Sequence, residues 1–537
     1  MKSKELKLIF FIISILFAIF LVAPIISLFF KSIFDSSFTS EFYISVFKEN
    51  NFFTALLNSF KIAILSGVIS VAFAFVIAYA VHYTSLPKFI KNIISFVVVL
   101  PMFLPTITYG FAIIYSFGKQ GLITRILGKQ LFDIYGFYGL LIGYVIYTVP
   151  VAFMLLNNTM EYVDKKTLIV SKTMGDNNLS TFYIAILRPL MGTFAGAFVQ
   201  VFFLCFTDFG IPASVGGNYN VVATLLYNQM LGGIPDFNRG AVIAMIMLIP
   251  SVGSICILQI LEKFNIRYNK ISHADLRKNV LRDLSWASFG VLISIIIVSI
   301  FAVIFVVPMV EEWPYKTGIS FEHFKDVFTD NQLLSVYINS LLMSLLTAFL
   351  GTFIAYGSAL ITARSNLSYK YKKVIESIAL ITSAIPGMVL GVAYLFVFSG
   401  TSLQNTMILM VLCNIVHYFS TPYMMIKNSL SKMNSSWETT AMLMGDSWVK
   451  TILRVVTPNA LSSLIEVFSY YFINSMVTIS AIIFIAGAKT MVLTTMIKQL
   501  QYVNRFNEVF VLSLLILVTN MIAKAIFSKI ANKKSYK

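Results

Sequence analysis

Charge is scarce in this chain: Asp, Glu, Lys and Arg together make 12% of its 537 residues, against roughly a quarter in a soluble domain. That excludes an ordinary water-soluble globule. The three cysteines, Cys205, Cys256 and Cys413, stand in apolar surroundings without metal-type spacing, which excludes a disulfide framework or a zinc module. Four scattered histidines, His82, His273, His323 and His417, nominate no metal cluster, so no metal site is expected. Two further absences matter. No Gly-x-x-x-x-Gly-Lys-Ser/Thr stretch occurs, so the chain has no phosphate-cradling loop for ATP. No nucleophile stands beside a base, so neither enzyme activity nor a cofactor of its own is expected.

What is present is apolar length. Hydrophobic residues make 58% of the chain and the mean hydropathy is +0.84. Leu8 to Phe30 is 23 residues without a charge, where about 20 span a bilayer as a helix and a cleavable signal has only about 7–15. A retained first span is expected. Further runs fall at 55–81, 89–117, 134–158, 190–206 and 239–261, then at 286–309, 334–362, 374–399, 404–426, 459–486 and 507–529. The reading is an all-α polytopic membrane protein with about 12 spans.

The net charge of +17 reads as topology. With the N-terminus inside, the interval 262–284 is cytoplasmic and carries six basic residues (Lys263, Arg267, Lys270, Arg277, Lys278, Arg282) against three acids. The interval 309–333 is outside, with Lys316 and Lys325 against five acids. This is the positive-inside asymmetry of a multi-pass protein with both termini cytoplasmic. No basic stripe with interleaved aromatics stands apart from the spans, so nucleic acid is not an expected partner.

Six spans are followed by six matching ones. Asn58-Ser59 and Asn339-Ser340 each open a second span, and the same shift carries Leu104-Pro-Thr-Ile-Thr-Tyr-Gly110 onto Ile385-Pro-Gly-Met-Val-Leu-Gly391. Pro105 and Gly110 thereby face Pro386 and Gly391, the spacing of a shared kink or close packing. Tyr147 to Pro150 faces Phe419 to Pro422, and Asn238-Arg239 faces Asn504-Arg505. An even number of spans per half makes the repeat parallel, with a path expected at the interface of the repeats. The expected division is 1–261, a cytoplasmic linker 262–284, and 285–537.

Each half carries one polar cytoplasmic interval, about 162–189 and about 428–458. The second reads Ala441-Met-Leu-Met-Gly445-Asp446-Ser447, with Pro458 at the foot of the next span; the first has Met174-Gly175-Asp176 and Pro189. Trp437, Ala441, Met444 and Gly445 follow helical spacing, with Glu438 and Lys450 toward water, which predicts a short amphipathic helix flat on the membrane face. Asp446-Ser447 and Asp176-Asn177 are N-cap pairs that would begin a second helix after the Gly turn. Each interval reads as a compact knob.

The pattern Glu438-x-x-Ala441-x-x-x-Gly445, followed by Val455 and Pro458, resembles the cytoplasmic "EAA" loop of binding-protein-dependent ABC importer permeases. The resemblance covers nearly the whole chain and implies a type I importer permease with its two halves fused. It makes Gly175, Asp176, Glu438, Ala441, Gly445, Asp446 and Pro458 contacts for two copies of a separate ATPase, which binds ATP and Mg. It also implies an extracytoplasmic substrate-binding protein, for which the outer intervals 309–333 and 211–236 are candidates, and a place in the bacterial inner membrane. ATP-driven closure of the ATPases would pull the knobs together. The first copy departs from the pattern, with Leu168 where Glu438 stands and Pro189 one residue further from its glycine; only the second is expected to offer a carboxylate contact. Stretches 206–227 and 475–485 look most like 2-aminoethylphosphonate permeases, with ferric-iron and thiamine permeases as alternatives. Path candidates are Thr207, Asp208, Asn474, Ser475, Thr478 and Ser480. Asp208 could meet a cation or merely cap a helix. An ion-coupled secondary transporter is the competing class, but it would need midplane ionisable groups that this sequence scarcely offers and would not need the knobs.

Overall fold

A computed structural model describes residues 4–35, 37–262, 280–434 and 436–535. Most of the linker 262–284, including all its basic residues except Arg282, lies outside the described residues. Among those described, eight helices are by themselves long and apolar enough to cross a bilayer. The number rises to eleven when three bent helix pairs are each counted as one crossing. The remaining expected span, 459–486, is the helix Thr457–Val477 followed by a short 3-10 turn at Ile482–Phe484. Nearly all ordered structure is helix; one small antiparallel ribbon pairs Val310–Glu312 with Lys316–Ile319.

The bends have local causes. Pro105 and Pro386 lack the N–H that would continue a helix and push the preceding residue out of helical geometry. Leu104 and Ile385 are accordingly extended, and the chain turns by 109° and 106° at these points. Gly110 and Gly391 then lie where another segment passes close: a Cβ would strike the Ser214 side chain at the first and the Ala481 carbonyl at the second. The third bend, 56°, falls between Met407–His417 and Ser420–Lys432, ahead of Pro422. Its counterpart Pro150 sits inside the unbroken helix Phe137–Tyr162. The two halves therefore part company here.

The chain forms two compact units that are interleaved along the sequence. One comprises Met1–Val46, Leu226–Leu248 and Glu322–Lys537; the other comprises Phe47–Leu225 and Ile249–Phe321. In the first unit the opening span, Lys4–Ile33, packs on helices of the second repeat. Phe17 meets Phe419 at 4.5 Å between ring centres, and the Tyr394 hydroxyl donates to the Phe20 carbonyl at 2.6 Å. In the other unit the span Asp283–Met309 packs on helices of the first repeat: Trp286 lies 4.3 Å from the Tyr79 ring, Phe301 lies 5.4 Å from Tyr109, and Ser116 Oγ donates to the Ile300 carbonyl. Each repeat thus lends its first span to the unit that holds most of the other repeat.

Small side chains let the long helices approach, as apolar solvent on the outside supplies no other reason for them to associate. Asn50–Tyr83 buries Ala63, Ser66, Gly67, Ser70 and Ala74, and Ser70 Oγ meets Thr148 Oγ1 at 2.8 Å. The Asn-Ser pairs that revealed the repeat act alike. Asn58 Nδ2 donates to the Asn220 carbonyl and Ser59 Oγ accepts from Val222 N; Asn339 Nδ2 donates to Lys489 and Met491 carbonyls and Ser340 Oγ accepts from Leu493 N. In both halves the serine receives the first N–H of a ten-residue helix, Val222–Leu231 or Leu493–Tyr502.

Candidate functional site

Each knob is a helix, a left-handed glycine and a second short helix. In the first, Lys166–Thr173 is stopped by Gly175 at φ +86°, and Asn177 then caps Asn178–Phe182 by accepting from Ser180 N at 2.7 Å. In the second, Ser436–Leu443 is stopped by Gly445 at φ +82°, and Ser447 caps Trp448–Thr451. Positive φ costs a residue with a Cβ roughly 1–2 kcal/mol, which is the reason for glycine at both turns. Of each expected cap pair, the second residue caps and the aspartate does something else. Asp176 Oδ2 accepts from Ser171 Oγ at 2.5 Å, and Asp446 pairs with Lys450.

A five-residue π turn follows in both knobs, Tyr183–Leu187 and Ile452–Val456, and delivers Pro189 or Pro458 to the first turn of a span. There the missing proline N–H is harmless. The unequal glycine-to-proline spacing is absorbed beforehand, in a capped helix of five residues against one of four.

The tips of the knobs are apolar and open. Met174 and Leu179 are each 80% exposed in the first; Leu443 and Met444 are 84% and 79% exposed in the second. Of the residues expected on the apolar face of Ser436–Leu443, Ala441 is buried, Trp437 is 40% exposed and Met444 stands clear. Glu438 is partly exposed, and its carboxylate takes a 2.8 Å ion pair from Arg364 Nε, at the end of the helix Asn331–Ala363. Nothing in the loop pattern pointed to Arg364; the signal was a lone arginine closing a 33-residue helix without another charge.

The path candidates divide into two groups. Asp208 ends the helix Arg188–Thr207 and turns its carboxylate onto the start of Gly210–Val215, accepting from Ile211 N at 2.9 Å, with Thr106 also on it. It is a buried cap. Thr207 and Asn474 bond back to carbonyls of their own helices, Phe203 and Tyr470. In the second repeat Thr478, matched to Asp208, bonds to Tyr418, and its carbonyl accepts from Thr494 Oγ1. Ser480 and the His417 imidazole both line the space beside Gly387, and Ser475 and Asn414 are buried with no hydrogen-bond partner for their side chains. Asn414 and His417 are one helical turn apart and escaped the sequence reading because a single buried amide or imidazole is usually packing. The first repeat has Ile142 and Val145 at the matching positions. Among the described residues no group of three or more His, Cys, Asp or Glu is placed to hold a metal ion.

These constructions agree with what the chain is similar to. Residues 355–535 match the family described as binding-protein-dependent transport system inner membrane component. A ferric transport system permease of Haemophilus influenzae is 26% identical over 504 residues, covering 89% of this chain and 78% of that protein. The ferric transport system permease of Actinobacillus pleuropneumoniae is 24% identical over 508 residues, covering 90% and 72%. The thiamine transport system permease of Escherichia coli is 24% identical over 226 residues, covering 41% and 42%. With its twofold repeat and its pair of glycine-turned knobs, the chain is similar over about nine tenths of its length to fused, multi-pass permease subunits of binding-protein-dependent ABC importers, which are not themselves enzymes.

Proposed function

We propose that this chain forms the transmembrane path of an inner-membrane importer for ferric iron, fed by an external binding protein and driven by two copies of a separate ATPase carrying ATP and Mg. The observation that carries the cargo is the likeness to ferric permeases over about nine tenths of the chain. The drive rests on the knobs. Each ends in exposed methionine and leucine side chains beside a rigid Gly turn, suited to a hydrophobic groove in a partner. Behind each tip a capped helix and a π turn run directly into a proline-led span, so a displacement of the tip is passed to that span. With the knobs cytoplasmic, both termini lie inside.

The polar layer of the second repeat, around His417, Ser475, Thr478 and Ser480, is the part of the proposed path that this chain can offer to a hydrated or chelated cargo. Asp208 serves as a structural cap in this reading. The test is uptake of labelled ferric iron and of labelled 2-aminoethylphosphonate by cells with and without the chain. Loss confined to iron supports the proposal. Loss confined to the phosphonate replaces the cargo and keeps the class, while loss of neither, with no ATPase co-purifying, rejects the importer.

A further inference from the structure

Both repeats place a cation where a second span ends, but they use it in opposite senses. In the second repeat the cation belongs to the span. Arg364 follows Asn331–Ala363, and its side chain is 5% exposed. The guanidinium reaches four acceptors: Nε bonds Glu438 Oε1 at 2.8 Å, Nη1 bonds the Met433 carbonyl at 2.9 Å and the Leu430 carbonyl at 3.5 Å, and Nη2 bonds the Asn434 carbonyl at 3.2 Å. The Leu430 carbonyl lies in the last turn of the helix Ser420–Lys432 and the other two follow it, and the carboxylate belongs to the next helix, Ser436–Leu443. One side chain therefore fixes both sides of the turn that carries the knob. The planar fork of arginine suits this task; a lysine ammonium could satisfy the carboxylate but not the spread of carbonyls.

In the first repeat the cation belongs to the knob. Lys165 Nζ donates to the His82 carbonyl at 3.0 Å and lies 5.6 Å from the Tyr83 ring centre, at the end of Asn50–Tyr83. Burial holds this ammonium below the ordinary lysine range. Leu168 occupies the place of Glu438, so the missing carboxylate is matched by a different tether. In each case a positive charge meets the carbonyl end of a helix, the favourable end of its dipole.

We propose that Arg364 is the positioning residue of the second coupling knob, and that Glu438 serves the chain itself, as the knob's anchor to its own second span, and not as a carboxylate offered to the ATPase. The geometry stands without the importer reading; only the consequence for coupling rests on it.

The experiment uses the full chain with Cys256→Ser and spin labels at two exposed pairs, Met444 with Tyr369 for the second knob and Met174 with Phe89 for the first. In the unchanged chain both distance distributions are narrow. Arg364→Ala and Glu438→Gln should broaden the 444–369 distribution and leave 174–89 unaltered, with Arg364→Lys intermediate. Should Arg364→Ala fail to accumulate in membranes, Glu438→Gln and Arg364→Lys carry the test. An unaltered 444–369 distribution in all folded variants overturns the proposal, as does equal broadening of both pairs. With the ATPase bound, the anchoring role predicts that uptake per ATP hydrolysed falls several-fold in Glu438→Gln while the ATPase still co-purifies. Loss of co-purification with an unaltered distance would return Glu438 to the ATPase. Failure of the importer reading would leave the distances untouched, so the two failures are distinguishable.

Discussion

At the scale of single residues, backbone sign and burial set the consequences of substitution. A Cβ at Gly445 would meet nothing within 4 Å, so the constraint there is the positive φ and not space. Gly445→Asn, which tolerates the left-handed region, should retain coupled uptake, whereas Gly445→Val should lose it while the knob's other contacts survive. Equal activity of the two variants, measured as uptake per ATP, would show that φ is not the constraint. Gly391 is the reverse case. Its Cβ would strike the Ala481 carbonyl, which cannot swing away, so Gly391→Ala should cost about 1–3 kcal/mol and lower the melting temperature in detergent. Lys498 offers a pH test. It is 7% exposed on a helix outside the membrane-crossing ones, donates to Gln501 Oε1, and is lowered by burial to about 8. The folded value lies below the unfolded one, so the penalty is fully present below about pH 8 and fades as pH rises toward the unfolded value. Lys498→Met should therefore stabilise the protein at pH 7, with a gain that shrinks by pH 10; a constant gain would point to packing instead.

Between elements, the repeat can be read as shared hydrogen bonds. Ser59 and Ser340 perform the same act on matched helices, so Ser59→Ala and Ser340→Ala should each cost about 1 kcal/mol and add independently in the double variant. A thermal melt that shows coupling between them would mean that the two sites are not separate. The break prolines and the Gly turns were legible in the sequence because each has a short-range cause, a missing N–H or a missing Cβ; the serines were legible only as a repeated pair, since the N–H groups they receive lie 163 and 153 residues away. Arg364 and His417 were not legible. Their roles come from partners 66 to 74 residues away for the one and from a bend that the matched Pro150 does not produce for the other. Asp208 was legible as costly and as a possible cap, but the group it caps was not, since only the turn of the chain at Phe209 brings Ile211 N onto its carboxylate.

For the whole molecule, apolar run length predicted the class and approximate number of spans, and it missed that three of them are bent, because hydropathy has no direction. It also gave no sign that the first span of each repeat is lent elsewhere. That arrangement has a consequence in time. Leu6, Phe10, Ile13 and Phe17 are buried, yet the carbonyl of Phe20 finds its hydroxyl donor 374 residues later. A growing chain must hold its opening helix in lipid, one apolar face unfilled, until most of the second repeat has been made. Expressed alone, residues 1–262 should accumulate poorly in membranes, and co-expression with residues 280–537 should rescue both pieces; pulse-chase labelling would read this as a change in half-life. The unfilled face would then act as a tag of incompleteness, marking truncated chains for removal before they could open an unpaired path across the membrane.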